Sequence, residues 1–437
     1  MKILIIGSGA REHAICWKLN QSNDAHIIYI APGNAGTAEL GENVQLDLNN
    51  FKMVGDFCLE KKIELVFVGP EEPLVLGIYD YFKNIKELQN IIITGPGKEG
   101  AQLEGSKSFA KKFMKKYGIP TAGFSEFDTT DFEKGISYIQ LHSLPIVLKA
   151  DGLAAGKGVL ICPTHKEALK EFSSILKEDK FGAAGSKVVI EEFLTGVELS
   201  VFILTDGKNY LLLPEAKDYK KIGQNDTGPN TGGMGAISPV PFATDHFMQK
   251  VKEKIINPTL EGLRSENIEY KGFLFFGLIK VNDEPVVIEY NCRLGDPETE
   301  TILLRLKNDL TQLLKGMANS SLDEQQIIID KKSAATIVAV SGGYPGEIEK
   351  GKQIDFIYLE NPQAIKHIDE TRGGVTVFQA ATSQKDKKVI TNGGRVLTAS
   401  AIAGSLPEAL ELCVETLDQI HFDGMYYRPD IGYEFVD

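Results

Sequence analysis

Lys149-Ala150-Asp151-Gly152-Leu153-Ala154-Ala155-Gly156-Lys157-Gly158-Val159 sets two lysines around a glycine-rich hairpin with no bulky side chain between them. Glycine lets backbone close over a bound group and ammonium groups neutralise an anion, so this pattern suits a polyphosphate chain. The GxxxxGK[ST] spacing of a Walker loop is absent. An exposed hairpin is the bland alternative, but it gives no reason for Lys149 to end an otherwise apolar strand. Further on, Glu289-Tyr290-Asn291-Cys292-Arg293 closes the expected strand Val286 to Asn291. Strand alternation puts Glu289 and Asn291 on one face and Ile288 and Tyr290 on the other. Two neighbouring oxygen donors suit Mg²⁺, which takes one or two protein ligands and fills its remaining positions with water and nucleotide phosphates, while Arg293 can meet a phosphate or carboxylate. A purely structural acid-x-amide pair at a strand end fits the same residues. Asp296-Pro297-Glu298-Thr299-Glu300 then opens a helix whose N-terminus points the same way.

Three other stretches carry weaker signals. Glu191-Glu192-Phe193-Leu194 follows a strand and Glu198 begins the next. Backbone groups at such a hinge can read an adenine edge and a carboxylate can accept from ribose hydroxyls, although charged strand ends are common. Asp226-Thr227-Gly228-Pro229-Asn230-Thr231-Gly232-Gly233-Met234-Gly235-Ala236 reads as a long loop whose amides could cradle phosphate or shield an intermediate, or as a plain surface loop. Gly7-Ser8-Gly9-Ala10-Arg11-Glu12 joins a strand to a helix and offers amides to a phosphate. A dinucleotide fingerprint would need a small residue at Glu12 and an acid where Ala31-Pro32 stands, so nicotinamide chemistry is disfavoured.

The elements that must hold these groups follow from patterning. β-rich runs at Ile3 to Ile6, Ile27 to Ile30, Leu65 to Val68 and Ile91 to Thr94 alternate with helix-length segments, the mark of an open parallel α/β sheet. Each run ends in a turn-rich cluster, and in such sheets those ends line the binding crevice. A helical stretch from Ala101 to Gly118 leads to a small α+β lid with strands at Ile146 to Lys149, Val188 to Ile190 and Leu199 to Leu204. From Ser333 a β-rich unit with Thr336 to Val340, Val375 to Phe378 and Arg395 to Ala399 is closed by a helix from about Pro407 to Ile420.

With 437 residues, and roughly 100–200 residues per domain, about three units are expected. A net charge of −13 and the lack of a basic, aromatic-laced run disfavour nucleic acid, and no long apolar run predicts a membrane span. The start has too few apolar residues for a signal peptide. Five scattered cysteines outside any CxxC pair point to a reducing cytoplasm rather than a disulfide framework or zinc site. The histidines form no metal-binding pattern, and no nucleophile elbow is present, so covalent enzyme catalysis is unsupported.

Taken in order, Gly7 to His13, Ala31 to Thr37, Gly69-Pro70-Glu71, Gly105-Ser106-Lys107, Lys149 to Val159, Asp226 to Ala236, Glu289 to Glu300 and Thr391-Asn392-Gly393-Gly394-Arg395-Val396-Leu397 resemble the glycinamide ribonucleotide synthetase family, nearly end to end. The resemblance implies an ATP-grasp fold, α/β and α+β in class. A Rossmann-like domain at 1–104 would contact phosphoribosylamine, an ATP-grasp domain would span 105–330 with a mobile lid at about 121–195, and a C-terminal β-rich domain would follow at 331–437. It further implies ligation of glycine to 5-phosphoribosylamine through glycyl phosphate, a step of purine biosynthesis that uses ATP with Mg²⁺ or Mn²⁺. By that likeness Glu289 and Asn291 are the metal ligands. Lys107, Lys149 and Lys157 contact the nucleotide phosphates, Glu191, Glu192, Phe193 and Leu194 form the adenine site, and Glu198 meets the ribose. Arg293, Lys149 and Asp218 carry the catalysis. Gly9, Asn34, Gly36, Thr37, Glu71, Asp218, Lys220 and Arg293 form the substrate sites. The oligomeric state stays open, a monomer being compatible. Two departures from the family pattern, Lys217-Asp218-Tyr219-Lys220 and Gln379-Ala380-Ala381-Thr382, are expected to bear on substrate contacts. The rival readings are another ATP-grasp carboxylate–amine ligase and a catalytically silent nucleotide sensor.

Overall fold

The computed structural model describes residues 1–154, 158–178, 180–357, 366–369 and 373–436. Strands Lys2–Gly7, Ile27–Pro32, Leu65–Val68 and Ile92–Pro96 run parallel, with the short Glu42–Asn43 at one edge. Both faces of this sheet are covered, which is why its strands read as continuous apolar runs. Leu4, Ile6, Val66 and Val68 pack with Val54, Cys58, Ile78 and Phe82 on one side. Ile3, Ile5, Leu65 and Phe67 pack with Ala10, Ala14, Leu310 and Leu313 on the other.

The sheet does not stop where the first expected domain does. Tyr270–Val281 pairs antiparallel with Ile92–Pro96 at Tyr270 and Lys271. Through it the parallel strands continue into an antiparallel set made of Val197–Thr205, Tyr210–Leu212 and Glu284–Asn291. Above this floor, Phe124–Asp128, Lys187–Glu192, Ile146–Ala150 and Val159–Cys162 form a separate four-stranded antiparallel sheet. Helices Phe132–Leu141 and His165–Lys177 back it with their own small core, including Phe132, Ile139, Leu148, Phe172 and Ile190.

A six-stranded sheet holds the C-terminal strands Ser333–Val340, Arg395–Ala403, Gly373–Gln379 and Lys366–Asp369, packed against helix Leu406–Leu417. Its other edge is taken from mid-chain: Lys217–Asp218 pairs with Gly235–Ser238, which pairs with Ser333–Val340. The expected continuous loop from Asp226 to Ala236 is therefore corrected. Thr227–Asn230 forms a hairpin with Lys221–Gly223, and Gly235 already starts a strand. Between them Gly233 has φ +121°, and a Cβ there would sit 2.5 Å from Pro297 Cδ, so the crossing needs glycine. Among the described residues no helix is long and apolar enough to cross a membrane.

Candidate active site

Floor, lid and C-terminal sheet enclose a cleft of about 510 Å³. Its base is the end of strand Glu284–Asn291. Register with the neighbouring strand skips a residue: Leu278 faces Val287 while Gly277 faces Glu289, leaving Ile288 as a bulge. Glu289 and Asn291 both line the cleft, and Tyr290 turns inward to hydrogen-bond Thr259 at 3.0 Å. The Ile288 carbonyl accepts from Lys149 Nζ at 3.3 Å. With its amide oriented so that Nδ2 donates to Glu104 Oε1 (3.0 Å) and the Tyr290 carbonyl (3.1 Å), Asn291 keeps its oxygen for another partner.

The hinge under the lid is a buried charge bracket. Glu191, 3% exposed, meets Lys111 Nζ at 2.8 Å and Lys149 Nζ at 3.0 Å. Glu191 is thus spent on holding two lysines, and the side chains of Glu192 and Phe193 are exposed beside it, with Glu192 accepting from the Gly123 amide at 2.8 Å. Burial pushes the Lys111 ammonium down to about 8 and also lowers that of Lys107, which donates to the Gly152 carbonyl at 3.0 Å. Lys157 lies outside the described residues.

The opposite end is acidic. Asp218 and Lys220 line the cleft from a segment pinned by the glycine-rich crossing, where the Thr231 amide donates to the Lys220 carbonyl (2.7 Å) and the Met234 amide to that of Tyr219 (2.7 Å). Lys220 Nζ pairs with Glu198 at 2.9 Å. Burial opposes the Lys220 charge, but Asp218, Glu198 and Glu289 hold the ammonium well above its usual range. Lys220 in turn holds Glu198 low, whereas burial raises Asp218. Glu298 Oε1 accepts from Ser200 Oγ (2.9 Å), and burial, aided by the Asp218 charge, pushes its carboxyl up to about 7.

Arg293 sits between two carboxylates, with Nη2 2.9 Å from Glu104 Oε1 and Nε 3.4 Å from Glu71 Oε2. Burial works to raise the Glu71 carboxyl, but Arg293 and Arg11 outweigh it and hold it low. A second cavity of about 480 Å³ opens at the first strand–helix turn, lined by Gly7, Ser8, Gly9, Arg11, Glu12 and Asp296 among others. The buried Glu12 carboxylate caps that helix: Oε2 accepts from the Gly9 amide (2.6 Å) and Oε1 pairs with Arg11 Nε (2.6 Å).

Residues 1–104 match the family model described as Phosphoribosylglycinamide synthetase, N domain, residues 105–299 its ATP-grasp (A) domain and residues 334–434 its C domain. Phosphoribosylamine–glycine ligase of Vibrio cholerae is 43% identical over 439 residues, covering 100% of this chain and 99% of that one. The crystal structure of phosphoribosylamine–glycine ligase from Thermotoga maritima matches with a TM-score of 0.82 at 34% identity, over 98% of this chain and 100% of the other. The chain belongs to the phosphoribosylglycinamide synthetase family. The biotin carboxylase domain of the Hydrogenobacter thermophilus 2-oxoglutarate carboxylase, solved with MgADP, matches with a TM-score of 0.70 at 16% identity over 97% and 91%, a likeness of fold alone.

In this member of the phosphoribosylglycinamide synthetase family, four groups of residues expected to bear on the substrates are placed as follows. Asn34, Gly36 and Thr37 line neither cavity. The Asn34 side chain is used up internally, Nδ2 donating to the Ser8 (2.9 Å) and Gln379 (2.7 Å) carbonyls and Oδ1 accepting from the Gly36 and Thr37 amides. Glu71 reaches the cleft as a partner of Arg293. Lys217 and Tyr219 lie off the cleft and meet Glu434 instead, because strand alternation turns them away from Asp218 and Lys220. Gln379 is likewise internal, its backbone N–H donating to His13 Nδ1 (2.8 Å) and its side-chain Oε1 accepting from Thr382 Oγ1 (2.9 Å). Lys111 and Glu104 were missed, and Asp296 and Arg395 were read only as parts of longer motifs; Lys111 carried a signal, standing one helical turn after Lys107.

Proposed function

We infer that this chain joins glycine to 5-phosphoribosylamine with ATP, giving N1-(5-phospho-D-ribosyl)glycinamide, ADP and phosphate. The observation that carries the reading is the convergence of Lys107, Lys149, Asp218, Lys220, Glu289, Asn291 and Arg293, from four separate segments, on one cleft. A free carboxylate is a poor acyl donor, and phosphorylation turns it into a mixed anhydride whose phosphate leaves readily. The protein then supplies position and charge rather than a nucleophile. Lys107 and Lys149 hold the phosphates, backbone at Glu192 to Leu194 takes the adenine edge, and Glu198 faces the ribose. Asp218 receives the glycine ammonium, and Arg293 steadies the transferred phosphoryl group, with Glu71 and Glu104 fixing its guanidinium. The second cavity, at the first strand–helix turn and bordered by Gly9, takes phosphoribosylamine.

The residues present fit a divalent cation. Glu198, Asp218, Glu289 and Glu298 face one ammonium, Lys220, so the acidic end carries more negative charge than it neutralises. Among the described residues no three His, Cys, Asp or Glu are arranged to bind a metal alone, which suits an ion completed by nucleotide phosphates. Glu289 and the Asn291 oxygen would hold Mg²⁺ or Mn²⁺. When bound, it would neutralise the phosphate oxygens during transfer. Closure of the lid excludes water from an intermediate that hydrolyses readily. The cysteines, all free and buried, support a reducing cytoplasmic setting.

The test is ADP release with Mg-ATP, glycine and freshly formed phosphoribosylamine, omitting one component at a time. Turnover that needs all three, with the ligated product seen by mass, is expected; preference for another amine or acid would leave the fold and remove this substrate assignment.

A further inference from the structure

The amine cavity and the nucleotide cleft share a wall. Among the described residues only Arg11 and Asp296 line both. Arg11 presents a guanidinium, which has donors and no acceptor. Asp296 is fixed by one oxygen: Oδ1 meets Arg395 Nη2 at 3.0 Å, and the Asp296 carbonyl accepts from Arg395 Nη1 at 2.7 Å. Its other oxygen points at the glycine turn of the amine cavity, since a Cβ on Gly9 would lie 3.1 Å from Asp296 Oδ2. Glycine at position 9, which lines that cavity, keeps the approach to Oδ2 open.

Resting on the ligase reading above, we propose that Asp296 is a catalytic residue, the carboxylate that takes the proton shed by the amine as it adds to the activated acyl carbon. The neutral amine nitrogen forms a bond to the acyl carbon and becomes cationic. It then loses one proton to Asp296 Oδ2 while the carbon–oxygen bond to phosphate breaks and phosphate leaves with the electron pair. Asp296 returns its proton to solvent after product release. Neighbouring groups are already committed. Glu12 is held by Arg11 and the Gly9 amide, Glu298 receives the Ser200 hydroxyl, and His13 Nδ1 accepts from the Gln379 amide. Glu300, one helical turn on and buried, lines neither cavity.

The experiment compares two acceptors of the same activated glycine: phosphoribosylamine, and hydroxylamine, a small and weakly basic amine that traps acyl phosphates without an enzymic base. For Asp296→Asn, which keeps an oxygen for Arg395, ligation to phosphoribosylamine should fall by about 10²–10³-fold. Glycine- and ATP-dependent hydroxamate should stay within about threefold of wild type, well below the effect of losing a base. In Asp296→Asn the loss should fall on kcat at saturating phosphoribosylamine with KM little changed, as removal of a base and not of a binding contact requires. Equal loss with both acceptors in Asp296→Asn would make the residue structural, and unchanged ligation would remove it from the reaction; either overturns the proposal. Wild-type protein that forms no glycine-dependent hydroxamate would instead overturn the ligase reading itself, and the proposal with it.

Discussion

The two ends of the cleft are built on opposite electrical plans. Under the lid, Lys111 and Lys149 both touch one carboxylate, Glu191, and Lys107 lines the cleft beside them. On the floor, Glu198, Asp218, Glu289 and Glu298 surround a single ammonium, Lys220. Each end is incomplete in the sense its ligand would correct: a polyanion suits the first, and a divalent cation with an ammonium group suits the second. A ligand carrying phosphates at one end and a metal at the other spans them, and ATP with its metal has that form. The bracket holds its own charges in close contact even without ligand, whereas the floor keeps like charges together. Removing a carboxylate should therefore do opposite things to stability at the two ends.

The largest expected effect tests what the floor is for. Glu289→Ala removes one of the two proposed metal ligands, and glycine-dependent ADP release should fall by about 10³-fold, the scale of lost metal-centred charge stabilisation. The Mg²⁺ concentration needed for half-maximal rate should rise in the same variant, and an unchanged Mg²⁺ dependence would remove Glu289 from the metal site. At the bracket the expected loss is first one of stability. Glu191→Gln leaves Lys111 and Lys149 buried with no countercharge, which costs about 3–5 kcal/mol when one partner of a buried pair is removed. Urea unfolding followed through the lid would show it, and a variant as stable as wild type would mean that the lysines are solvated rather than bracketed.

Which parts of this plan the sequence could show is a matter of range. Leu65–Val68 is found where its apolar run predicts, and half-buried Glu289 and Asn291 flank buried Tyr290 as alternation requires, because both depend on neighbours along one strand; the bulge at Ile288, set against the partner strand, breaks the alternation one residue earlier. Long-range pairing left no such trace. Lys111 looks like a solvated helix lysine until Glu191, eighty residues on, buries it at 2% exposure. Asn34 carries a polar side chain suited to a ligand, yet the Gln379 carbonyl and its own turn consume it. The Gly233 crossing reads as loop because the strand it feeds pairs with Ser333–Val340, a hundred residues further along.

Glu298 sharpens the contrast through pH. Its carboxyl is raised from 4.5 to about 7 by burial and by the Asp218 charge, so the folded protein binds its proton more tightly than the unfolded chain. Stability from this group is present in full below about 4.5 and is lost as pH rises through about 7. Glu298→Gln, which can still accept from Ser200, should therefore be more stable than wild type at pH 8, by something on the order of 1–3 kcal/mol, and nearly equal to it at pH 5. Urea midpoints at the two pH values in metal-free buffer measure this. Added Mg-ATP should narrow the gap, because a bound cation relieves the same repulsion; a gap unchanged by it would place Glu298 outside the floor's shared field.

The smallest effect is expected behind the floor, where the departures at Lys217 and Tyr219 are found. Lys217 Nζ lies 3.0 Å from Glu434 Oε2 and 3.7 Å from the centre of the Tyr219 ring, and Tyr219 donates its hydroxyl to the same carboxylate at 3.1 Å. Buried Arg428 approaches the ring at 5.6 Å and ties the segment to Asp226 and Asp430. This clasp has its charges in contact, like the bracket, but the Glu434 side chain is 27% exposed, so water shares in its work. Glu434→Ala should cost about 1 kcal/mol of stability, the upper range for a solvent-screened pair, and Glu434→Gln less, since it keeps an acceptor for Tyr219. Because Lys217 and Tyr219 point away from the cleft, the KM for glycine should move by no more than about twofold, the equivalent of a few tenths of a kcal/mol. A larger rise would mean that the clasp sets the position of Asp218 through the strand between them, and the contrast between the two ends would then extend to a third, supporting layer.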